Sequence, residues 1–353
     1  MSQFKQFLSD KRIPAPAPEF VIDSQGRAIF GTFDKEIPNL NFLDIHKQSS
    51  LPDFMNAMRF TFWEACEVNF DEITLLCACS IVGNAAGVAL TLIYDKMEKK
   101  VYAWTGPNLR TGAKMAPNLL DGAISEVKGP LNNVSFVNDF GNGKAKVYGN
   151  GKGPAGKVKF DLDLTRYSLP SVVNIPFGEN KPLYSQKDLF TVDGYIEYKG
   201  RIYKANEGST AIIDDHKGYY PYNSHYDWVT TMGYNIVDGK KELFGFNLTR
   251  NQSINQDDYN ENLIWFKGRT DRVTPVKFEH INYNLWHITD DHGMVDITFD
   301  IGDRNLLKFN LGLVRADYSI TFGALSGYIC DEEGNKYVLD GMTGIGEDKT
   351  LVV

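Results

Sequence analysis

The stretch that decides the fold is residues 59–104, RFTFWEACEVNFDEITLLCACSIVGNAAGVALTLIYDKMEKKVYAW. Its first part alternates apolar and polar positions, whereas ITLLCACSIVG (73–83) is a continuous apolar run. Polar turn segments separate the runs at Asp71-Glu72 and at residues 95–100. Alternation with a period of two, in short runs joined by tight turns, predicts an antiparallel meander, and no 3.6-residue periodicity indicates a helix here.

The same pattern continues through most of the chain, for example in NVSFVNDFGNGKAKVYG (133–149) and LFTVDGYIEYKGRIYKA (189–205). Strands that recur about every ten residues predict an all-β sandwich or barrel with few short helices. Residues 113–127 are a candidate for one of those short helices.

A Pro-, Gly- and Asn-rich stretch, LPSVVNIPFGENKP (169–182), is the predicted domain boundary. We therefore expect a domain at 1–178, opening with an extended proline-rich arm, and a second domain at 179–353. Each half contains enough strands for its own antiparallel barrel or strongly curled sheet.

Composition limits the class of protein. The chain has 353 residues, 42% of them hydrophobic, and a formal net charge of -8, so it can bury a core but offers no basic stripe to nucleic acid or to an anionic membrane. No apolar run reaches the length of a membrane span, and the N-terminal residues do not resemble a signal peptide. We expect no stable membrane insertion and a reducing, cytoplasmic location; the oligomeric state stays open.

The four cysteines include Cys77 and Cys79 in a C-x-C inside the apolar run. Without further Cys or His partners at metal-binding spacing, we expect buried free thiols. The acidic residues 257–261 and the triplet 290–292 lack the pattern of a calcium or zinc site. No nucleophile elbow and no dinucleotide fingerprint occurs. We therefore expect neither a metal nor a cofactor.

Aromatic rings, histidines and carboxylates concentrate in residues 209–262, among strand-like segments. Wide amphipathic rings beside titratable groups are typical of a mostly apolar pocket with a few polar anchors. The candidate ligand-binding residues are Lys217, Tyr220, Tyr222, Tyr226, Asp227, Trp228, Asn262, Trp265 and Arg315. The alternative for the tryptophans is an ordinary place in the core.

Three residues of this stretch are candidate catalytic groups. Asp214 follows the apolar segment STAII, and a carboxylate entering a barrel interior would have a raised pKa or pair with a cation, for which Lys217 and Arg315 are candidates. Glu261 is a candidate second acid or base beside Asn262, which could orient a substrate oxygen. For Asp214 the alternative is a structural salt bridge or a turn cap.

His225 and Asp227 form an H-x-D on a predicted strand, so their side chains should share one face. A histidine there could act as a proton shuttle near neutral pH. A hydrogen-bonded structural pair at the edge of a sheet is the alternative.

The segment IIDDHKGYYPYNSHYDWVTTMGY (212–234) resembles the family catalogued as domain of unknown function 2804. Asp214, Gly218, Tyr219, Pro221, Tyr222, Trp228 and Gly233 match its motif, whereas Asp215, His216 and Lys217 replace its usual Trp, Gly and Arg. Glu261, Asn262, Gly268 and Arg269 match a later motif, and Glu347 takes the place of its closing acid. The resemblance is strongest from residue 181 onward.

That family resembles, more distantly, the two-barrel lipocalin-like group that includes carotenoid hydratases and tocopherol cyclases. The resemblance implies two consecutive lipocalin-like barrels or curled sheets. It also implies a small, largely apolar ligand and cofactor-independent proton-transfer chemistry such as isomerisation, hydration or cyclisation. Two alternatives stay open, a non-catalytic carrier of a hydrophobic ligand and, more remotely, a carbohydrate-active protein.

Overall fold

Two antiparallel sheets make up the protein in a computed structural model that describes residues 2–46, 50–237, 239–310 and 315–352. Each sheet is strongly curled into a half-barrel, which confirms the predicted all-β class. Within the described residues the only α-helices are α1 (Gln3–Phe7) and α2 (Asp53–Ala57). Short 3-10 turns lie at Leu8–Asp10, Phe42–Asp44, Arg110–Gly112 and Phe140–Asn142.

The first sheet has fourteen strands within the described residues. They are β1 (Gly31–Phe33), β2 (Phe60–Asn69), β3 (Ile73–Val82), β4 (Ala86–Asp95), β5 (Lys100–Leu109), β6 (Ala113–Lys114), β7 (Ala123–Lys128), β8 (Asn132–Asp139), β9 (Lys144–Gly153), β10 (Gly156–Arg166), β11 (Val172–Pro176), β12 (Pro182–Tyr198), β13 (Arg201–Lys204) and β14 (Thr210–Tyr219).

The main strand order of this sheet is β5-β4-β3-β2-β14-β12-β10-β9-β8-β7-β6. Strand β14 therefore joins the N-terminal meander, through β2, to the strands that follow it. One face of the sheet, here called its inner face, carries an apolar cluster that includes Cys66, Phe136, Phe160 and Ile213. The inner face is thus where the core of this sheet lies.

The second sheet has ten strands within the described residues. They are β15 (Asn223–Val237), β16 (Lys240–Arg250), β17 (Leu263–Phe266), β18 (Arg269–Arg272), β19 (Val276–Asn282), β20 (Leu285–Asp290), β21 (Val295–Asn310), β22 (Arg315–Cys330), β23 (Lys336–Val338) and β24 (Met342–Val352).

Its main order is β18-β17-β16-β15-β24-β22-β21-β20-β19. The sheet curls far enough for its edge strand β19 to contact β16. Its inner face carries a second apolar cluster, with Val229, Phe246, Trp286 and Phe299 among its members. Side chains from β15, β24 and β19 can therefore meet inside the curl.

The division of the chain differs from the predicted one near residue 178. Strand β12 lies in the first sheet, paired with both β10 and β14, and the chain enters the second sheet between Tyr219 and Asn223. The two compact units are residues 15–93 with 102–220, and 1–14 with 94–101 and 221–353. The Pro- and Gly-rich stretch is instead β11 and its connection to β12, which pair with each other.

Two smaller expectations have clear outcomes. Residues 113–127 do not form a helix, because β6 and β7 at its two ends pair with each other in the first sheet. The four cysteines are buried free thiols, as predicted. Among the described residues, no helix has both the length and the apolar character that crossing a membrane requires.

Candidate functional site

Strand β14 carries Asp214 and Asp215 on opposite faces of the first sheet. Ala211 and Ile213 belong to the apolar cluster of the inner face, and side chains two residues apart on a strand share a face. Asp215 and Lys217 therefore point inward with Ile213. Asp214, which the sequence suggested as the interior acid, points outward.

On the inner face, Asp215 meets a second acid that the sequence reading did not single out. Glu64 on β2 is the direct cross-strand partner of Asp215. Both side chains are fully buried at 0% exposure, and the ammonium group of Lys217 forms an ion pair with Asp215. Ser125 and Asn138 act on Glu64 as well, because their hydrogen bonding lowers its pKa. We call these residues, Glu64, Asp215, Lys217, Ser125 and Asn138, the inner-face acid group.

Neither carboxyl oxygen of Glu64 makes a hydrogen bond of normal geometry among the described residues, although Ser125 and Asn138 lie close enough to lower its pKa. The same holds for both side-chain polar atoms of Asn138, which is also 0% exposed. Buried polar atoms are nearly always paired, with protein or with an ordered water, so unpaired ones need an explanation. These four atoms lie together on the inner face and could give polar anchors to a guest there.

The pKa values of the two acids respond to burial and to each other. Burial, and then the neighbouring Asp215 carboxylate, raise the pKa of Glu64 to about 7. Burial also raises the pKa of Asp215, but its ion pair with Lys217 opposes the shift and favours the ionised form. Glu64 is therefore the acid of the pair that holds a proton near neutral pH.

A neighbouring ion group in the same sheet shows the contrast. The guanidinium of Arg166 lies 2.6 Å from Glu36 and 2.9 Å from Asp188, and Gln186 donates to Asp188 at 2.9 Å. Each of these carboxylates has a bonded partner, so this group is a satisfied structural network. Glu64, by contrast, is unsatisfied.

On the outer face, Asp214 forms an ion pair with Lys187, its direct neighbour on β12. It also lies 3.5 Å from the Nε2 of His216. The two predicted partners were wrong: Lys217 sits three residues away and so faces the other side, and Arg315 is exposed on β22. The alternative expectation, a structural salt bridge, describes this placement of Asp214.

A second constellation lies on the inner face of the second sheet. The Nε2 of His225 lies 3.3 Å from Oδ2 of Asp227, and the Nε2 of His280 lies 3.0 Å from Oδ1 of the same carboxylate. The two Nδ1 atoms lie 3.9 Å and 3.8 Å from the oxygens of Asp348. We call these four residues the His–Asp cluster.

The strands explain how the His–Asp cluster forms. Asp227 and Asp348 are cross-strand partners on β15 and β24, and His280 reaches them from β19, which the curl brings across. The ring of His280 stacks on Trp286 at 4.4 Å and 4°. The sequence predicted the pairing of His225 with Asp227, whereas His280 and Asp348 lie too far along the chain for spacing to reveal them.

Hydrogen bonding and burial have opposite effects on the pKa values of the residues in this cluster. The hydrogen bond to Asp227 raises the pKa of His225 above its usual value. Burial alone would raise the pKa of Asp227, but the contacts from both histidines outweigh it and the pKa lies below its usual value. Burial and the nearby Asp227 raise the pKa of Asp348.

Asp227 also lines a cavity of about 490 Å³. The other lining residues are Arg250, Asn255, Gln256, Asp257, Pro275, Val276, Lys277, Phe278 and Asp291. Seven of these ten residues carry a charged or an amide side chain, so the wall offers several polar partners to a guest.

The side chain of Asn262 holds backbone, whereas that of Glu261 bonds to another side chain. The side chain of Asn262 accepts from the Thr249 N–H at 2.7 Å and donates to the Thr274 carbonyl at 3.1 Å. Asn251 donates to Glu261 at 3.3 Å. With both its polar ends engaged by backbone, Asn262 has a structural role here, and orienting a substrate oxygen would require breaking these bonds.

The predicted aromatic wall is spread over several environments. Trp228 donates from Nε1 to the side-chain oxygen Oδ1 of Asn247 at 2.5 Å, and Tyr226 donates to Glu347 at 2.8 Å. Tyr220 is buried with its ring 6.0 Å from that of Trp63. Tyr222 is 54% exposed and Trp265 is fully buried.

The structure thus brings together only some of the predicted residues. Asp214, Lys217 and Tyr220 belong to the compact unit of the first sheet, and the other nine belong to the unit of the second sheet. Within the second unit, His225 and Asp227 meet, but Tyr226 and Trp228 project from the opposite face of β15.

Fold and site together define the class: an all-β protein with two strongly curled antiparallel sheets and buried acid groups on their inner faces. Solved structures with this fold include kievitone hydratase from Nectria haematococca, with 11% identity, 83% of this chain and 88% of that chain covered, and a TM-score of 0.50. CghA with Sch210972 is similar at 9% identity, with 99% and 97% covered and a TM-score of 0.50. At such identities the likeness shows the fold alone.

The chain belongs to the family described as domain of unknown function 2804, whose model matches residues 11–351. The match spans both sheets and confirms the family resemblance. No curated protein matches the chain.

Proposed function

We propose that this protein binds a small, largely apolar molecule against the inner face of the first sheet and transfers a proton to it from Glu64. The observation that carries the proposal is a fully buried carboxyl group with a pKa of about 7 and no hydrogen bond of normal geometry among the described residues. A general acid works best when its pKa lies near the working pH.

The surroundings of Glu64 support this reading. Cys66, Cys79 and Phe136 are apolar neighbours on the same inner face, so an apolar guest would find matching walls. The unpaired amide of Asn138 offers a donor and an acceptor to a carbonyl or hydroxyl group of that guest.

The reaction class follows from the two acids. Neutral Glu64 would donate its proton to a carbon–carbon double bond or a carbonyl oxygen. Asp215, kept ionised by Lys217, would accept a proton from the substrate or from water. Isomerisation, hydration and cyclisation all use such a pair, and a protein named as a hydratase has this fold. The four free thiols support the further proposal that the protein works in a reducing compartment such as the cytoplasm.

Metabolite screening tests this function. Parent protein is incubated with small-molecule extracts, and depleted and newly formed compounds are identified by mass spectrometry. Glu64→Gln should slow the conversion found for the parent by about 10²–10⁴-fold, because the amide cannot donate the required proton. Glu126→Gln, on β7 in an ion pair with Lys128, is the matched control and should leave the rate unchanged.

Conversion by Glu64→Gln at the parental rate would contradict the assignment. The second candidate function is a carrier, which the apolar majority of the inner face favours. Native mass spectrometry distinguishes it: a carrier retains the same small molecule in the parent and in Glu64→Gln, and neither protein changes it chemically.

A further inference from the structure

We infer that the His–Asp cluster of the second sheet is a binding site for one divalent transition-metal ion. His225, Asp227 and Asp348 can each offer one ligand atom within 4.8 Å of the others. His280 would be the fourth ligand, since its Nε2 lies 3.0 Å from Oδ1 of Asp227. The site is separate from Glu64 and does not depend on the function proposed for it.

The distances fit ligands that share an ion. Metal–ligand bonds of about 2.1 Å place neighbouring ligand atoms about 3.0 Å apart and opposite ones about 4.2 Å apart. Each imidazole can offer only one nitrogen to an ion, and the two Nε2 contacts with Asp227, at 3.0 Å for His280 and 3.3 Å for His225, fall inside that range.

The geometry at a buried oxygen of Asp227 points to the same conclusion. Oδ1 of Asp227 makes no hydrogen bond of normal geometry among the described residues, although the Nε2 of His280 is only 3.0 Å away. The nitrogen and the oxygen are close but not aligned as donor and acceptor. That is the geometry of two atoms directed at a common point, as ligands of one cation are.

Charge and chemistry select the kind of ion. The two carboxylates together carry a charge of −2, which balances the +2 charge of a divalent ion. The two neutral imidazoles add no charge. Imidazole with carboxylate favours zinc, cobalt, manganese or iron over calcium and magnesium, which prefer oxygen alone.

Neighbouring residues orient the two histidine rings, and a cavity gives an ion access to them. Thr350 lies 3.1 Å from the Nδ1 of His225, so its hydroxyl can fix that ring with Nε2 directed at Asp227. Stacking on Trp286 fixes the ring of His280. The cavity of about 490 Å³ that Asp227 lines gives an ion a route in and leaves room for a water or a ligand on it.

Titration of the chelator-treated full chain with zinc, followed by calorimetry, tests the inference. We expect one equivalent to bind, and Asp227→Asn and His280→Gln each to weaken binding by at least about 10-fold. Cobalt should give visible absorption bands that the two variants lack. The control is His287→Gln, which removes the histidine of the exposed His287–Asp296 pair and should leave zinc binding unchanged.

Circular dichroism of each variant checks that it is folded, and Asp348→Asn replaces any variant that is not. Zinc should also raise the melting temperature of the parent but not of the folded variants. Parental zinc affinity in folded Asp227→Asn and His280→Gln, or no zinc binding and no cobalt bands in the parent, would overturn the inference.

Discussion

The carboxyl group of Glu64 makes the free energy of unfolding depend on pH. Burial raises its pKa to about 7 in the folded protein, from a reference value of 4.5. Between these values the folded state binds more protons than the unfolded state, so the free energy of unfolding falls as the pH rises. At about 1.4 kcal/mol per pH unit, this group can cost about 3 kcal/mol by the time it is ionised.

Urea unfolding of the parent and of Glu64→Gln at about pH 5 and about pH 7.5 measures this effect. Because glutamine stays neutral, the stability of the variant relative to the parent should rise by about 2 kcal/mol between the two pH values. Glu126→Gln should show no such change. If the stabilities of the variant and the parent differ by the same amount at both pH values, the pKa of Glu64 is not raised in the folded protein.

At the residue scale, the sequence proposed Asp214 as the interior carboxylate, with Lys217 or Arg315 as its partner. In the structure Lys217 pairs with Asp215 instead, and Asp214 pairs with Lys187. It chose Asp214 because the three preceding residues, 211–213, are all apolar, so alternation gives no sign of which face is inner. Glu64 was missed although it falls on the same alternating positions of β2 as Phe62 and Cys66, where an acid is unexpected.

At the scale of the element, Gly194 allows β12 to bend while paired with β10. Its φ is +116°, and a Cβ there would lie 2.1 Å from the carbonyl oxygen of Asp161. Gly194→Ala should therefore lower the free energy of unfolding by at least about 2 kcal/mol, measured by urea denaturation.

The control for that substitution is Gly106→Ala on β5, where a Cβ would meet no atom within 4 Å. It should change the free energy of unfolding by less than about 1 kcal/mol. If the two variants unfold at the same urea concentration, close backbone packing at Gly194 is not what shapes β12.

Element order was predictable, whereas the boundary between the sheets was not. Alternation and turn residues identified the strands of the meander, since both are local properties of the sequence. The Pro- and Gly-rich stretch led to a predicted boundary near residue 178. That stretch, however, contains β11 and its connection to β12 within one sheet. The true passage at 220–222 is only three residues long and differs little in composition from its neighbours.

For the whole molecule, the all-β class and the two curled sheets were predictable, and the family match covers both. The predicted single pocket was built from residues close in sequence. Because strand side chains alternate, His225 and Asp227 point to one face while Tyr226 and Trp228 point to the other. Acid groups instead form where distant strands meet, as Glu64 and Asp215 do on β2 and β14.

The most direct test of the central claim is carbon-13 NMR of the Glu64 side-chain carboxyl in the folded protein, assigned by comparison with Glu64→Gln, over a pH titration. We expect this signal to titrate near pH 7, because a buried acid keeps its proton close to neutrality. Titration near the reference value of 4.5 would contradict it, since Glu64 would then be an ordinary carboxylate with no proton to give.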